Sequence, residues 1–202
     1  MNLANFFTIS RIILAPAFFV CAFLPQLAGV PRSLVFPILV GLFLYIEASD
    51  LIDGYIARRT NQITDIGKVL DPFSDIICRV SYFLLFTVIG IMPPLSFLII
   101  LYREFGSVFL RMVLTKEKVF LAARISGKIK SLCYSAVSIL SLVFMYLRWI
   151  NPETAPAASA GQDSLKIFIQ ACFFAAAGLS LFSLVDYLLV FRRHILSGDD
   201  SQ

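Results

Sequence analysis

Four aspartates lie in two pairs within a short stretch of the chain, and their spacing predicts a shared site. Asp50 and Asp53 are three residues apart, and Asp71 and Asp75 are four apart, so on helices each pair projects from one face. Because only the short polar connection 58–68 separates them, the two helices should be antiparallel neighbours with the pairs facing each other. Converging carboxylates repel one another unless cations neutralise them. We therefore predict a site for Mg²⁺ or Mn²⁺, with room for two ions that clamp a phosphoryl group.

The residues that follow the first pair fit a nucleotide diphosphate. Gly54 and Ala57 should share the helical face of the first pair, where small side chains leave space for a bulky ligand near the backbone. Arg58 then adds a bidentate donor for phosphate. Each feature alone has a structural alternative, because small residues at this spacing also serve helix packing in membranes. The complete set favours a nucleotide diphosphate site.

Long apolar runs surround this segment and must position it. Hydrophobic residues make up 59% of the 202 residues, against about 45–50% in a typical soluble domain. A membrane-spanning helix needs about 20 predominantly apolar residues. The chain therefore reads as one all-α integral membrane domain, residues 1–202, with six transmembrane helices over 6–24, 33–49, 69–91, 94–114, 126–147 and 166–190.

The distribution of basic residues predicts the orientation in the membrane. All but three of the seventeen lysines and arginines fall at the two termini and around residues 50–80 and 103–130; the exceptions are Arg32, Arg148 and Lys166. Cytoplasmic segments carry the excess of basic residues. Both termini and the acidic segment should therefore face the cytoplasm, from a multi-pass position in the cytoplasmic membrane.

The connecting segments carry weaker signals. Residues 1–11 mix aromatic and polar residues, which is typical of an interfacial helix. Residues 90–94, Gly-Ile-Met-Pro-Pro, predict a tight turn. The polar stretch 151–164 predicts a mobile external loop, and the tail 197–202 has the composition of a disordered segment.

Read in full, Asp50-x2-Asp53-Gly54-x2-Ala57-Arg58-x8-Gly67-x3-Asp71-x3-Asp75 resembles the signature of the CDP-alcohol phosphatidyltransferases. The resemblance implies a six-helix homodimer in the lipid bilayer, with a cytoplasm-facing polar cavity and a divalent metal. It also implies the reaction, in which a CDP-linked donor passes its phosphatidyl group to an alcohol and releases CMP. No nucleic-acid partner is expected.

The same resemblance implies roles for individual residues. It makes the four aspartates metal ligands, with Asp71 and Asp75 catalytic and Asp75 the candidate base for the attacking hydroxyl. The N-terminal segment is similar to the opening of the bacterial family members that use glycerol 3-phosphate. The positions implied for the CDP group are Asn5, Thr8, Arg11, Gly54, Ala57, Arg58 and Gly67. Two positions differ: Ala4 stands where those enzymes usually have proline, and Asp75 is followed by Ile76 where they commonly have lysine.

The acceptor must be inferred from other residues. A phosphorylated acceptor arrives as an anion, and the cytoplasmic ends of the fourth and fifth spans offer Arg103, Arg111, Lys128 and Lys130. An intramembrane arginine such as Arg103 indicates function, although a salt bridge to Glu104 or to a site aspartate would also explain it. We predict CDP-diacylglycerol and glycerol 3-phosphate as substrates. The alternatives are inositol phosphate, phosphatidylglycerol or an amino alcohol as acceptor and, in a different class, a divalent-cation transporter.

Overall fold

The computed structural model describes residues 3–60, 65–116, 125–150 and 156–198. These ranges are helical and contain no strand, which confirms the predicted all-α class. The helices are α1 (Leu3–Cys21), α2 (Leu24–Ala28), α3 (Arg32–Thr60), α4 (Asp65–Val88), α5 (Pro94–Lys116), α6 (Ile125–Ile150) and α7 (Pro156–Gly198). The predicted apolar segments lie mostly within α1 and α3 to α7.

Three of the described helices are long and apolar enough to cross a membrane, over Arg32–Asp50, Ile129–Trp149 and Asp163–Val185. Phe6–Cys21 is a shorter apolar helix. Helices α4 and α5 carry charged residues inside otherwise apolar stretches, namely Asp71, Asp75 and Arg79 in α4 and Arg103 and Glu104 in α5. These charged positions contribute to the site described below.

The connection between α4 and α5 agrees with the sequence prediction, whereas the segment that precedes α7 differs from it. Gly90 has φ of +75°, a backbone conformation that favours glycine, and it forms the predicted turn between α4 and α5. The loop predicted over 151–164 is wrong from Pro156 onward, because α7 begins there. Proline at the first helical position and the alanines at 157, 158 and 160 explain the difference, since both favour a helix start.

Two predicted terminal segments are helical where they are described. Residues 3–11 continue without a break into the apolar part of α1, and their interfacial position stays a prediction. Helix α7 ends at Gly198, so the predicted tail is helical at 197 and 198 and otherwise lies outside the described residues.

The six long helices of the described ranges pack in two groups of three. Helix α1 packs along α3 and α4, whereas α7 packs along α5 and α6, and contacts of α4 with α5 and of α3 with α6 join the groups. Aromatic rings pack within and between the groups: the centroid of the Tyr82 ring of α4 lies 5.0 Å from that of Phe18 of α1, inside the first group. The Phe83 centroid lies 5.7 Å from that of Phe173 of α7, across the junction. The two groups thus form one core, and this core positions the helix segments that carry the charged residues.

Some buried serine hydroxyl groups bond within their own helices. Ser81 donates to the Ile77 carbonyl at 2.8 Å, and Ser141 donates to the Val137 carbonyl at 2.8 Å. Water is absent from a bilayer core, so polar groups there must find such partners in the protein. The outward faces are apolar, as expected for contact with lipid: Ile167 and Phe182, for example, are 66% and 70% exposed.

Contacts at the two ends of the bundle show that the long helices alternate in direction. Arg11 of α1 bonds both Asp50, in the second half of α3, and Asp75, in the first half of α4. Glu104 in α5 meets Lys130 near the start of α6. At the other end, the Arg32 guanidinium lies 5.9 Å from the centroid of the Trp149 ring. One end of the bundle thus holds Arg11, Asp50, Asp75, Glu104 and Lys130.

Candidate active site

Helix α1 holds the aspartates of α3 and α4 together. The Arg11 Nη1 atom donates hydrogen bonds to Asp50 Oδ1 and to Asp75 Oδ1, the second at 3.4 Å. Arg11 is buried, at 2% exposure, whereas the two carboxylates are partly exposed. A charge at this depth is costly unless it is paired. The guanidinium therefore fixes one carboxylate from each predicted pair at the same place.

A second contact from α1 reaches the third described aspartate. Thr8 Oγ1 donates to Asp71 Oδ1 at 3.1 Å, and Thr8 is buried. Thr8 and Arg11 are three residues apart, so both lie on the face of α1 that packs on α4. Two of the N-terminal positions that the sequence suggested for the CDP group, Thr8 and Arg11, thus contact the aspartates directly.

A cavity of about 490 Å³ opens beside these carboxylates. Asp50 and Asp75 form one part of its wall, and Arg79 of α4 and Ser131 of α6 form another. The full lining comprises Arg11, Ile46, Glu47, Asp50, Asp75, Cys78, Arg79, Tyr82, Phe83, Ser131, Leu132, Tyr134, Ser135 and Ser138. Its charged groups and hydroxyls lie between helices of both packing groups, and the space is large enough for a small polar substrate.

Sequence reasoning missed Arg79, which lies one helical turn after Asp75. Its Nη2 atom lies 3.9 Å from Asp75 Oδ2 and donates to Ser131 Oγ at 2.8 Å. Its Nη1 atom donates to Glu104 Oε2 at 3.2 Å, and its guanidinium lies 5.6 Å from the Tyr134 ring centroid. The available signal was the spacing of four residues between Asp75 and Arg79, which places both on one helical face.

Glu104 of α5 is the centre of a buried ion network. Its Oε1 atom accepts from Arg103 Nη1 at 3.1 Å and from Lys130 Nζ at 2.6 Å, in addition to the Arg79 contact at Oε2. Arg103 Nη2 also donates to Ser183 Oγ of α7 at 2.8 Å. The salt bridge between Arg103 and Glu104, given above as the structural alternative for Arg103, is thus present. Neither Arg103 nor Lys130 lines the cavity, and their acceptor roles stay predictions.

Comparison with known proteins identifies the family. The family model described as CDP-alcohol phosphatidyltransferase matches residues 1–175. The chain belongs to the CDP-alcohol phosphatidyltransferase family.

Curated relatives carry one shared name, CDP-diacylglycerol–glycerol-3-phosphate 3-phosphatidyltransferase. The protein from Treponema pallidum is 38% identical over 155 residues, which cover 73% of this chain and 71% of the relative. The Bacillus subtilis protein is 35% identical over 136 residues, covering 64% and 70%, and the Aquifex aeolicus protein is 30% identical over 153 residues, covering 75% and 80%. The chain is therefore an enzyme of the phosphatidyltransferase class.

Several residues of the phosphatidyltransferase signature have side chains outside the described part of the structure. They are Asp53, Gly54, Ala57, Arg58 and Gly67, together with Asn5, Arg111 and Lys128 among the other predicted site residues. Their roles stay predictions. Among the side chains that are described, the structure brings together Thr8, Arg11, Asp50, Asp71 and Asp75.

The described carboxylates have the donor chemistry that a divalent cation of a phosphatidyltransferase needs. Asp50 and Asp75 bond the same nitrogen of Arg11, and Asp71 lies one turn before Asp75 on α4. Carboxylate oxygens of this kind suit Mg²⁺ and Mn²⁺. No group of three metal-ligating side chains is close enough to bind an ion among the described residues, a set that omits the Asp53 side chain. The carboxylate oxygens of Asp50, Asp71 and Asp75 are therefore of the ligand type that Mg²⁺ and Mn²⁺ prefer.

Proposed function

We propose that this enzyme transfers the phosphatidyl group of CDP-diacylglycerol to glycerol 3-phosphate, giving phosphatidylglycerophosphate and CMP. The observation that carries the proposal is the meeting of Asp50 and Asp75 on Arg11 at the wall of a polar cavity. The shared name of the curated relatives supports the choice of glycerol 3-phosphate.

The transfer exchanges one phosphorus–oxygen bond for another. A hydroxyl oxygen of glycerol 3-phosphate attacks the phosphorus that bears diacylglycerol, the anhydride bond to the cytidylate phosphate breaks, and CMP leaves with the bridging oxygen. The hydroxyl proton must pass to a base. Asp75 is the candidate, because its carboxylate lines the cavity and is partly exposed.

The predicted metal ligands have a defined task in this proposal. Asp50, Asp53, Asp71 and Asp75 would hold one or two Mg²⁺ or Mn²⁺ ions. A bound cation of this kind polarises phosphoryl oxygens and offsets charge that develops on the leaving phosphate. Arg11 and Thr8 would orient three of these carboxylates, because they contact them directly.

The membrane arrangement belongs to the same proposal. We infer six transmembrane helices, α1 and α3 to α7, with both termini and the charged end of the bundle facing the cytoplasm, where nucleotide and glycerol phosphate are soluble. The alternating direction of the helices and the distribution of basic residues support this orientation. A homodimer in the cytoplasmic membrane completes the proposal.

The test is release of CMP by the purified protein in detergent–lipid micelles. CDP-diacylglycerol and Mg²⁺ or Mn²⁺ would be supplied with glycerol 3-phosphate, inositol phosphate, phosphatidylglycerol or ethanolamine in parallel. We expect CMP and a phosphorylated lipid product with glycerol 3-phosphate, and none after chelation of the metal. Asp75→Asn should abolish release, whereas Asp163→Asn, an exposed carboxylate on α7 away from the cavity, should not.

Two results would count against the proposal in different ways. Release with another acceptor only would keep the enzyme class and replace glycerol 3-phosphate. Full activity of Asp75→Asn would remove the proposed base.

A further inference from the structure

We propose that Arg79 binds the phosphate of the acceptor, and that Glu104 positions it there together with Arg103 and Lys130. The inference deepens the proposed function and rests on it, because it assumes a phosphorylated acceptor. Sequence alone favoured Arg103, Arg111, Lys128 and Lys130 for this task. The contacts of Arg79, Arg103 and Lys130 assign different roles to these three residues.

The first argument is access. Arg79 lines the cavity and its side chain is 20% exposed, whereas the side chains of Arg103 and Lys130 are 5% and 6% exposed and do not line it. A phosphate in the cavity can therefore contact the Arg79 guanidinium without any displacement of the other two. Arginine also matches phosphate geometry with its planar set of donors.

The second argument is the position of Arg79 relative to the carboxylates. Asp75 and Arg79 lie one turn apart on the same face of α4, and both line the cavity. A small acceptor can thus place its hydroxyl near Asp75 while its phosphate lies beside Arg79. The separation of one helical turn suits a short carbon chain between the two groups.

The third argument is charge. Arg79, Arg103 and Lys130 share the single carboxylate of Glu104, so this buried group carries more positive than negative charge. Asp75, the other carboxylate near Arg79, lies 3.9 Å from it on the same face of α4 and also faces Arg11, so it does not neutralise Arg79 alone. Unbalanced buried charge is costly, and an anion next to Arg79 would offset it. The excess positive charge of this group therefore favours the binding of a phosphate beside Arg79.

The fourth argument is preorganisation. The Arg79 guanidinium is held by Glu104, by Ser131 and by the ring of Tyr134 before any ligand binds. Lys130 packs on the same ring, 5.2 Å from its centroid, and Arg103 anchors the network to Ser183. Arg103 and Lys130 thus act through Glu104 as positioning residues. A guanidinium fixed in this way loses little conformational freedom when it binds phosphate.

The experiment compares Arg79→Gln, Arg79→Lys and Arg103→Gln with the wild type. KM and kcat are measured for glycerol 3-phosphate at saturating CDP-diacylglycerol, and for CDP-diacylglycerol at saturating acceptor. We expect Arg79→Gln to raise KM for glycerol 3-phosphate roughly ten- to hundredfold and to leave KM for CDP-diacylglycerol within about twofold. Arg79→Lys should give an intermediate KM, since it keeps the charge and loses the planar donor set.

Unphosphorylated glycerol supplies a second readout. If Arg79 contacts the phosphate, the ratio of kcat/KM for glycerol 3-phosphate to that for glycerol falls in Arg79→Gln, whereas a purely structural residue would lower both values together. Arg103→Gln should change this ratio less than Arg79→Gln does. If Arg79→Gln fails to fold, Arg79→Lys carries the comparison, with its thermal unfolding midpoint as the check on folding.

Three outcomes would overturn the inference. They are an unchanged KM for glycerol 3-phosphate in Arg79→Gln, an equal rise in KM for both substrates, and a larger effect in Arg103→Gln than in Arg79→Gln. Failure of the proposed function looks different, because the wild type itself would then release no CMP with glycerol 3-phosphate. If the wild type uses another phosphorylated acceptor, the same variants test Arg79 on it; use of a neutral acceptor alone would refute the role.

Discussion

Arg11 Nη1 lies 3.4 Å from Asp75 Oδ1, although 64 residues separate the two in the chain. The same nitrogen bonds Asp50, so a side chain of α1 links the helices that carry the two halves of the signature. Because Arg11 is buried and both carboxylates reach the cavity, the link fixes the distance between them.

Loss of the Arg11 guanidinium should separate the two carboxylates. We expect Arg11→Gln to lower kcat/KM for CMP release roughly a hundredfold, because two charge-assisted hydrogen bonds are lost at once. The measurement is CMP release with CDP-diacylglycerol and glycerol 3-phosphate. Arg32→Gln is the matched control, since this arginine lies at the opposite end of the bundle beside Trp149. Equal activities of the two variants would contradict the prediction.

Removal of the Thr8 hydroxyl should affect the site more mildly. Thr8→Val keeps the shape of the side chain and removes the hydrogen bond to Asp71, so we expect a roughly three- to tenfold lower kcat/KM. Thr8→Ser retains the donor and should stay close to the wild type in the same CMP assay. A Thr8→Ser variant as impaired as Thr8→Val would show that the methyl group matters instead.

Glu104 should contribute strongly to stability. Glu104→Gln leaves Arg79, Arg103 and Lys130 without their shared carboxylate, and breaking such a buried network destabilises proteins by about 3–5 kcal/mol. The prediction is a clearly lower thermal unfolding midpoint in detergent. Asp163→Asn removes an exposed carboxylate and serves as the control. An unchanged midpoint in Glu104→Gln would show that the network contributes little.

Replacement of Tyr82 should change the stability in the opposite direction. Its hydroxyl is buried and has no hydrogen-bond partner among the residues that the structure describes, and an unsatisfied hydroxyl of this kind costs about 1–3 kcal/mol. Tyr82→Phe keeps the ring between Phe18 and Phe43 and should raise the thermal unfolding midpoint. A lower midpoint would mean that the hydroxyl has a partner in the membrane-embedded protein.

The sequence was sufficient for the features that depend on local pattern. Apolar run length predicts the long helices, and the spacing of the signature predicts that Asp50 and Asp75 meet, as they do through Arg11. The loop predicted over 151–164 is too long, because α7 already begins at Pro156. The polar residues of this stretch favoured a loop, whereas its alanines favour a helix. Local composition alone did not resolve these two tendencies.

The ion network around Glu104 could not be predicted in the same way. Arg79 bonds Ser131, 52 residues away, and Arg103 bonds Ser183, 80 residues away. Such contacts depend on how α4 to α7 pack, and serine at either position gives no signal of its own. The position of Arg79 in the cavity wall is therefore evident only from the packed structure and not from the sequence.

The division of the bundle into two packing groups has a consequence for how substrate preference can change. The aspartates and their α1 contacts lie in the group α1, α3 and α4, whereas the residues that hold Arg79 from outside α4 lie on α5 and α6, with Ser183 of α7 behind them. Substitutions on α5 to α7 can therefore retune the pocket for a new alcohol while the carboxylates stay in place. A library of variants confined to those three helices should diversify the lipid headgroups produced while preserving the use of one nucleotide-activated donor.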